Sequence, residues 1–153
     1  MRMIWIDADA APKDVVTTVH RLAEELAFSV RTVSSINHML TGDNHITVDA
    51  SPQATDLRII NAITDALSTI VVTQDFGLAA LVLVKGAFAL SVKGMEYTKD
   101  NIDRLLFERA LHQHIRKKGH RNTGPKARTK QDQEFFANTL QRMMVTILNQ
   151  EKV

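Results

Sequence analysis

The chain has 153 residues, 44% hydrophobic and 24% charged, enough for one globular domain with a real core and unlike an intrinsically disordered chain. It contains no cysteine, which excludes a disulfide framework, a thiolate metal site and a cysteine nucleophile; any metal must be held by carboxylate, imidazole or water. The formal net charge is only +2, so its meaning lies in where the charges fall.

Met3 to Ile6 is an unbroken apolar run, too short for a helix and right for a strand buried on both faces. It breaks into Asp7-Ala8-Asp9-Ala10-Ala11-Pro12, where Pro12 suits the first turn of a helix because its missing N–H is no loss there. Asp14 to Leu26 then carries Val15, Val19, Leu22, Ala23 and Leu26 at helical spacing. Phe28 to Val33 reads as a second strand, Ser34 to Asn44 as a polar loop, and Ile46 to Val48 as a short third strand before the loop Ala50-Ser51-Pro52. Thr55 is placed to cap a helix from Asp56 to Leu67.

Thr69 to Thr73 is the clearest buried strand, and it ends in Gln74-Asp75 before an apolar helix from Phe76 to Lys85. Phe88 to Val92 reads as the fifth and last strand, turned by Lys93-Gly94. Thr98 caps a helix from Lys99 to Lys118, and a final helix runs from Asp132 to Leu148. Strand and helix alternate with short connections. That pattern predicts one α/β domain over 1–153, with a mostly parallel sheet of about five strands, helices on both faces and a C-terminal helical pair.

In such a sheet the carboxyl ends of the strands share one edge, so Asp7, Asp9 and Asp75 are expected to meet there with Asp56 at the rim. Carboxylates brought together repel, which predicts at least one raised pKa and favours a hard cation with oxygen ligands, Mg²⁺ or Mn²⁺. Against this stands the simpler role of Asp56 and its fellows as helix caps. From Arg116 to Lys130 there are seven basic residues, Arg116, Lys117, Lys118, Arg121, Lys126, Arg128 and Lys130, and no acidic one. The rest of the chain, with twelve basic and seventeen acidic residues, carries −5. This arm is either a solvated loop or a phosphate-binding segment, with His112, His114 and His120 as further hydrogen-bonding groups. His38 and His45 are assigned no role. With no basic leader and no apolar stretch beyond Phe76 to Val84, the expectation is a cytoplasmic protein without a membrane partner.

The segments Trp5 to Pro12, Thr73 to Ala79, Lys85-Gly86-Ala87, Tyr97-Thr98 with Asn101-Ile102, and Gly124-Pro125 with Asp132 and Phe136 closely resemble the YaiI/YqxD-like family of uncharacterised bacterial proteins, almost end to end. That family is similar to PIN-like nucleases, and the resemblance implies a PIN-like fold with Asp7, Asp9 and Asp75 as ligands of Mg²⁺ or Mn²⁺. It makes Asp56 a further catalytic carboxylate and nucleic acid, RNA before DNA, the partner. Three positions depart from the family pattern: Ala11 stands where cysteine is usual, Gln53 where a further aspartate is often found, and Arg128 where an aromatic is usual. Two other readings stay open. One is a nucleic-acid-binding or assembly module without catalysis. The other is a phosphatase with Asp7 as nucleophile, which the absence of later paired aspartates disfavours.

Overall fold

The computed structural model describes residues 1–35, 45–48, 53–117 and 127–152. The strands are β1 (Met3–Asp7), β2 (Ser29–Ser35), β3 (His45–Val48), β4 (Thr69–Val72), β5 (Phe88–Leu90) and β6 (Glu96–Tyr97). The helices are α1 (Lys13–Leu26), α2 (Ala54–Ala62), α3 (Phe76–Val84), α4 (Lys99–Lys117) and α5 (Lys130–Glu151). One sheet runs in the order β3-β2-β1-β4-β5-β6, parallel throughout except for β6, which pairs antiparallel with β5.

The period-2 alternation of a strand divides β1 between two cores. Ile4 and Ile6 face the side covered by α1 and α5, joining Val15, Val19, Leu22, Phe136, Leu140 and Met144. Trp5 faces the other side with Val71, against Ile59 of α2, Leu78 and Val82 of α3, and Ile102 and Leu105 of α4. Each large apolar side chain buried in this way contributes roughly 1.5–3 kcal/mol, and the unbroken apolar reading of β1 and β4 follows from their having no solvent face. The two C-terminal helices thus lie on opposite faces of the sheet. Among the described residues no helix is long and apolar enough to cross a membrane.

Several boundaries differ from the sequence reading. The strand at Phe88 is not the last: the turn at Gly94 brings Glu96-Tyr97 back as β6, pairing Leu90 with Glu96 and Ala89 with Tyr97. Gly94 has φ +93°, and a Cβ there would sit 2.7 Å from the Phe136 backbone nitrogen, so the turn is tight because α5 packs against it. Thr55 does not cap α2. Gln53 holds the N-cap position, and Thr55 lies buried inside the first turn. The helix stops at Ala62, short of Leu67, and a 3₁₀ turn at Ala66–Ser68 leads into β4. Ser34 and Ser35 belong to β2, while 36–44 and 49–52, which include His38 and the loop Ala50-Ser51-Pro52, lie outside the described residues.

α4 starts as expected, with Thr98 and Asn101 exchanging backbone-to-side-chain hydrogen bonds of 2.9 and 3.2 Å. α5 starts two residues before Asp132, because Thr129 and Asp132 form a capping box, and this draws Lys130 out of the arm and into the helix.

Candidate functional site

The strand order places a topological switch between β1 and β4: from β1 the chain goes to β2 and β3 on one side, then returns to β4 on the other. At such a point the connections leave in opposite directions and open a crevice beyond the carboxyl ends of the strands. Asp7 is the last residue of β1, Asp9 lies in the 3₁₀ turn that follows, Asp75 is three residues past β4, and Asp56 is in the first turn of α2. All four expected carboxylates stand around this crevice.

Thr73, fully buried, connects two of them. Its hydroxyl donates to Asp7 Oδ2 at 2.8 Å and accepts the Asp75 backbone N–H at 2.9 Å. Its carbonyl accepts the Tyr97 hydroxyl at 3.0 Å, so β6 braces the end of β4. Asp75 caps α3, its Oδ1 accepting the N–H groups of Gly77 and Leu78 at 2.8 and 3.2 Å. Asp9 accepts the Ser35 N–H at 2.8 Å and, more loosely, the Thr55 hydroxyl at 3.5 Å, tying together β2 and α2. Arg109 of α4 lies 3.7 Å from Asp75 Oδ1; both side chains are over 40% exposed, so the pair adds little stability.

The electrostatics carry the mark of crowding. Burial raises the pKa of Asp7, opposed by the Thr73 hydrogen bond and reinforced by the charges of Asp9 and Asp75. Asp56 is raised to about 6, by burial first and then by Asp75 and Asp7. Burial and the Asp75 charge push the Tyr97 phenol up to about 12, keeping it a neutral donor. The predicted raised carboxylate is therefore present twice.

One geometric expectation is corrected. Among the described residues no group of three Asp, Glu or His side chains is arranged to hold one ion, so Asp7, Asp9 and Asp75 do not form a closed three-ligand set. The reason is local: Asp9 is turned to β2 and α2, and Asp75 to the N-terminus of its own helix. The donor chemistry still suits magnesium or manganese. All the groups are carboxylate oxygens, two resist ionisation because of burial first and neighbouring carboxylates second, and Mg²⁺ is usually held by one or two carboxylates with water filling the remaining positions.

The basic segment divides. Arg116, in the last turn of α4, and Lys130, the first residue of α5, are exposed, and His112 and His114 are exposed on α4. Lys117 ends α4. Lys118, Arg121 and Lys126, with His120, lie outside the described residues. Arg128 leaves the phosphate-binding set. Its Nε donates to both Asp14 oxygens at 2.9 and 3.0 Å, and its Nη1 donates to the Val92 carbonyl. Nη2 sits 2.9 Å from Asp14 Oδ2, an ion pair whose N–H is not aligned as a hydrogen bond, and the guanidinium lies over the Phe136 ring at 6.0 Å.

Thr73, Tyr97 and Arg109 were not found from the sequence. Thr73 looks like an ordinary strand-end residue, Tyr97 stands in a stretch that announces no strand, and Arg109 looks like any cation on a solvated helix face. Beyond Arg109, from Ala110 to Arg116, no side chain of α4 is buried. The cationic end of that helix thus leaves the core as it passes Asp75.

The family described as "Uncharacterized BCR, YaiI/YqxD family" matches residues 5–146. A UPF0178 protein of Heliobacterium modesticaldum is 39% identical over 92% of this chain and 95% of its own length. A UPF0178 protein of Clostridium acetobutylicum is 38% identical over 93% and 96%, and one of Enterococcus faecalis is 39% identical over 90% and 93%. No solved structure gives a significant match.

Proposed function

The chain belongs to the YaiI/YqxD family, and we propose that it is a divalent-cation-dependent nuclease that hydrolyses phosphodiester bonds of nucleic acid, RNA before DNA, at the carboxyl edge of β1 and β4. The observation that carries this reading is the set of four carboxylates at the switch point, two of them, Asp7 and Asp56, with pKa values raised by burial first and then by the neighbouring carboxylates. A fold gains nothing from such repulsion. It does gain from a cation that relieves it.

Asp7 and Asp75 would hold Mg²⁺ or Mn²⁺, with Asp9 positioning the edge through Ser35 and Thr55. A bound divalent cation supplies charge neutralisation at the phosphate and makes water more acidic. Asp56, with a pKa of about 6, is largely ionised at neutral pH yet close enough to it to act as a general base. It takes the proton of the attacking water as a new P–O bond forms and the ester P–O bond breaks, the leaving oxygen gaining a proton from solvent. Thr73 keeps Asp7 aimed into the crevice, and Arg109, weakly paired, can turn from Asp75 to a phosphate oxygen.

The test is cleavage of a labelled single-stranded RNA in Mn²⁺ by the wild type and by Asp75→Asn. The variant should lose cleavage and keep, or improve, binding. Cleavage that survives the substitution equally in both preparations would assign the activity elsewhere.

A further inference from the structure

A cavity of about 290 Å³ opens one residue away from Asp75. Gln74, between Thr73 and Asp75, forms part of its wall; Phe76, Tyr97, Val92 and Met95 supply apolar surface, and exposed Lys93 also lines it. The Phe76 and Tyr97 rings meet edge to face, centroids 6.0 Å apart and planes at 68°. The Tyr97 hydroxyl is taken by the Thr73 carbonyl and its side chain is almost fully buried, so the half-buried Phe76 and Met95 give the cavity its accessible apolar face, with Tyr97 backing Phe76. Volume alone does not single out this place: a hollow of about 390 Å³ beside His20, Glu24 and Arg31 lies by the start of β2, at the opposite edge of the sheet. That hollow also holds an aromatic, Phe28, and a carboxylate, Glu24; what singles out the cavity at Gln74 is that its Phe76 ring adjoins Asp75 at the carboxyl edge where the acidic residues gather.

We propose that this cavity is a base pocket, receiving one unpaired nucleobase of the nucleotide next to the phosphate held at Asp7 and Asp75. The proposal rests on the nuclease reading and adds a substrate feature to it. Aromatic and thioether groups suit the face of a flat, polarisable heterocycle, and every base has such a face. The volume lies just under the range of pockets that take whole drug-sized ligands, which fits one heterocycle and not an entire nucleotide. A base paired in a duplex cannot turn into a pocket at a sheet edge, so the substrate is single-stranded or locally opened. Lys93 by the pocket and Arg109 at Asp75 provide cations for the flanking phosphates, which favours a nucleic acid over an aromatic side chain of a peptide.

The experiment measures binding of a single-stranded deoxydecamer and of its abasic counterpart to the full chain in EDTA, where no cleavage competes. Wild type should bind the base-containing strand about 5-fold or more tighter, since stacking of one base on aromatic groups is worth roughly 1–3 kcal/mol. Met95→Trp, which fills the cavity, and Phe76→Leu, which removes a ring, should each erase that difference and leave affinity for the abasic strand unchanged. Equal binding of both strands by wild type, or a preference that survives both variants, overturns the pocket. Cleavage in Mn²⁺ is read in parallel. A base preference without cleavage keeps the pocket and sinks the nuclease, whereas cleavage without a base preference does the opposite.

Discussion

Two charged clusters built from the same residue types behave in opposite ways. At Arg128 a guanidinium meets Asp14, a carbonyl and an aromatic face, so every charge is matched and α5 is pinned to α1 and to the end of β5. At the β1–β4 crevice four carboxylates share one edge, and among the described residues the loosely held Arg109 pairs with Asp75 there. The first arrangement holds the fold together. The second is mixed: Asp75 caps α3 and Asp9 ties β2 to α2, while burial and neighbouring charges raise the pKa of Asp7 and Asp56, and such perturbed groups concentrate at functional sites. Position in the sequence does not separate the two, since Arg128 sits in the same basic run as Arg116 and Lys130.

Arg128→Ala leaves Asp14 partly buried without its partner and should cost about 3 kcal/mol, the lower end for a broken buried pair. Urea unfolding would measure it. A loss below about 0.5 kcal/mol would show that this cluster is as dispensable as a surface pair.

Thr73→Val probes the link between cluster and fold. It removes the hydroxyl that Asp7 and the Asp75 N–H both use, and should cost about 1–3 kcal/mol. It should also raise the Asp7 pKa further, because the larger of the two hydrogen bonds opposing burial is gone and only the Asp9 backbone N–H remains. NMR titration of the Asp7 carboxyl reads this directly; an unchanged or lowered pKa would mean that Thr73 does not hold Asp7.

At Asp56 the expected effect is smaller and depends on pH. The folded pKa of Asp56, about 6, is above its ordinary 3.8, so the fold prefers the neutral acid. The stability this provides is fully present below about pH 4 and is lost as pH rises through about 6. Asp56→Asn should therefore raise the melting temperature at pH 7 by about 2–4 °C, the shift expected from ~1 kcal/mol in a chain of this size. The gain should vanish below about pH 4. Mg²⁺ or Mn²⁺ should stabilise the wild type at pH 7 more than the variant. Thermal melts at pH 4 and pH 7 decide it, and destabilisation at pH 7 would make Asp56 an ordinary helix-start aspartate.

What the sequence by itself determined is what depends on period and polarity. The strand at Met3, the buried strand at Thr69, the helices after each, and the placing of Asp7, Asp9, Asp56 and Asp75 toward one edge all follow from short apolar runs and 3.6-residue stripes. These signals are local, and a parallel sheet turns them into a shared edge by geometry alone. Only the tertiary structure decided which partner each charge meets. Arg128 and Arg109 are equally basic in the sequence, yet one reaches Asp14 across 114 positions and the other sits at the rim beside Asp75. Likewise Glu96-Tyr97 is too short to announce a strand, and it becomes β6 because the turn at Gly94 lays it along β5. A hydrogen bond or ion pair is set by distances of a few ångströms between residues far apart in the chain, and composition and spacing hold no record of those distances.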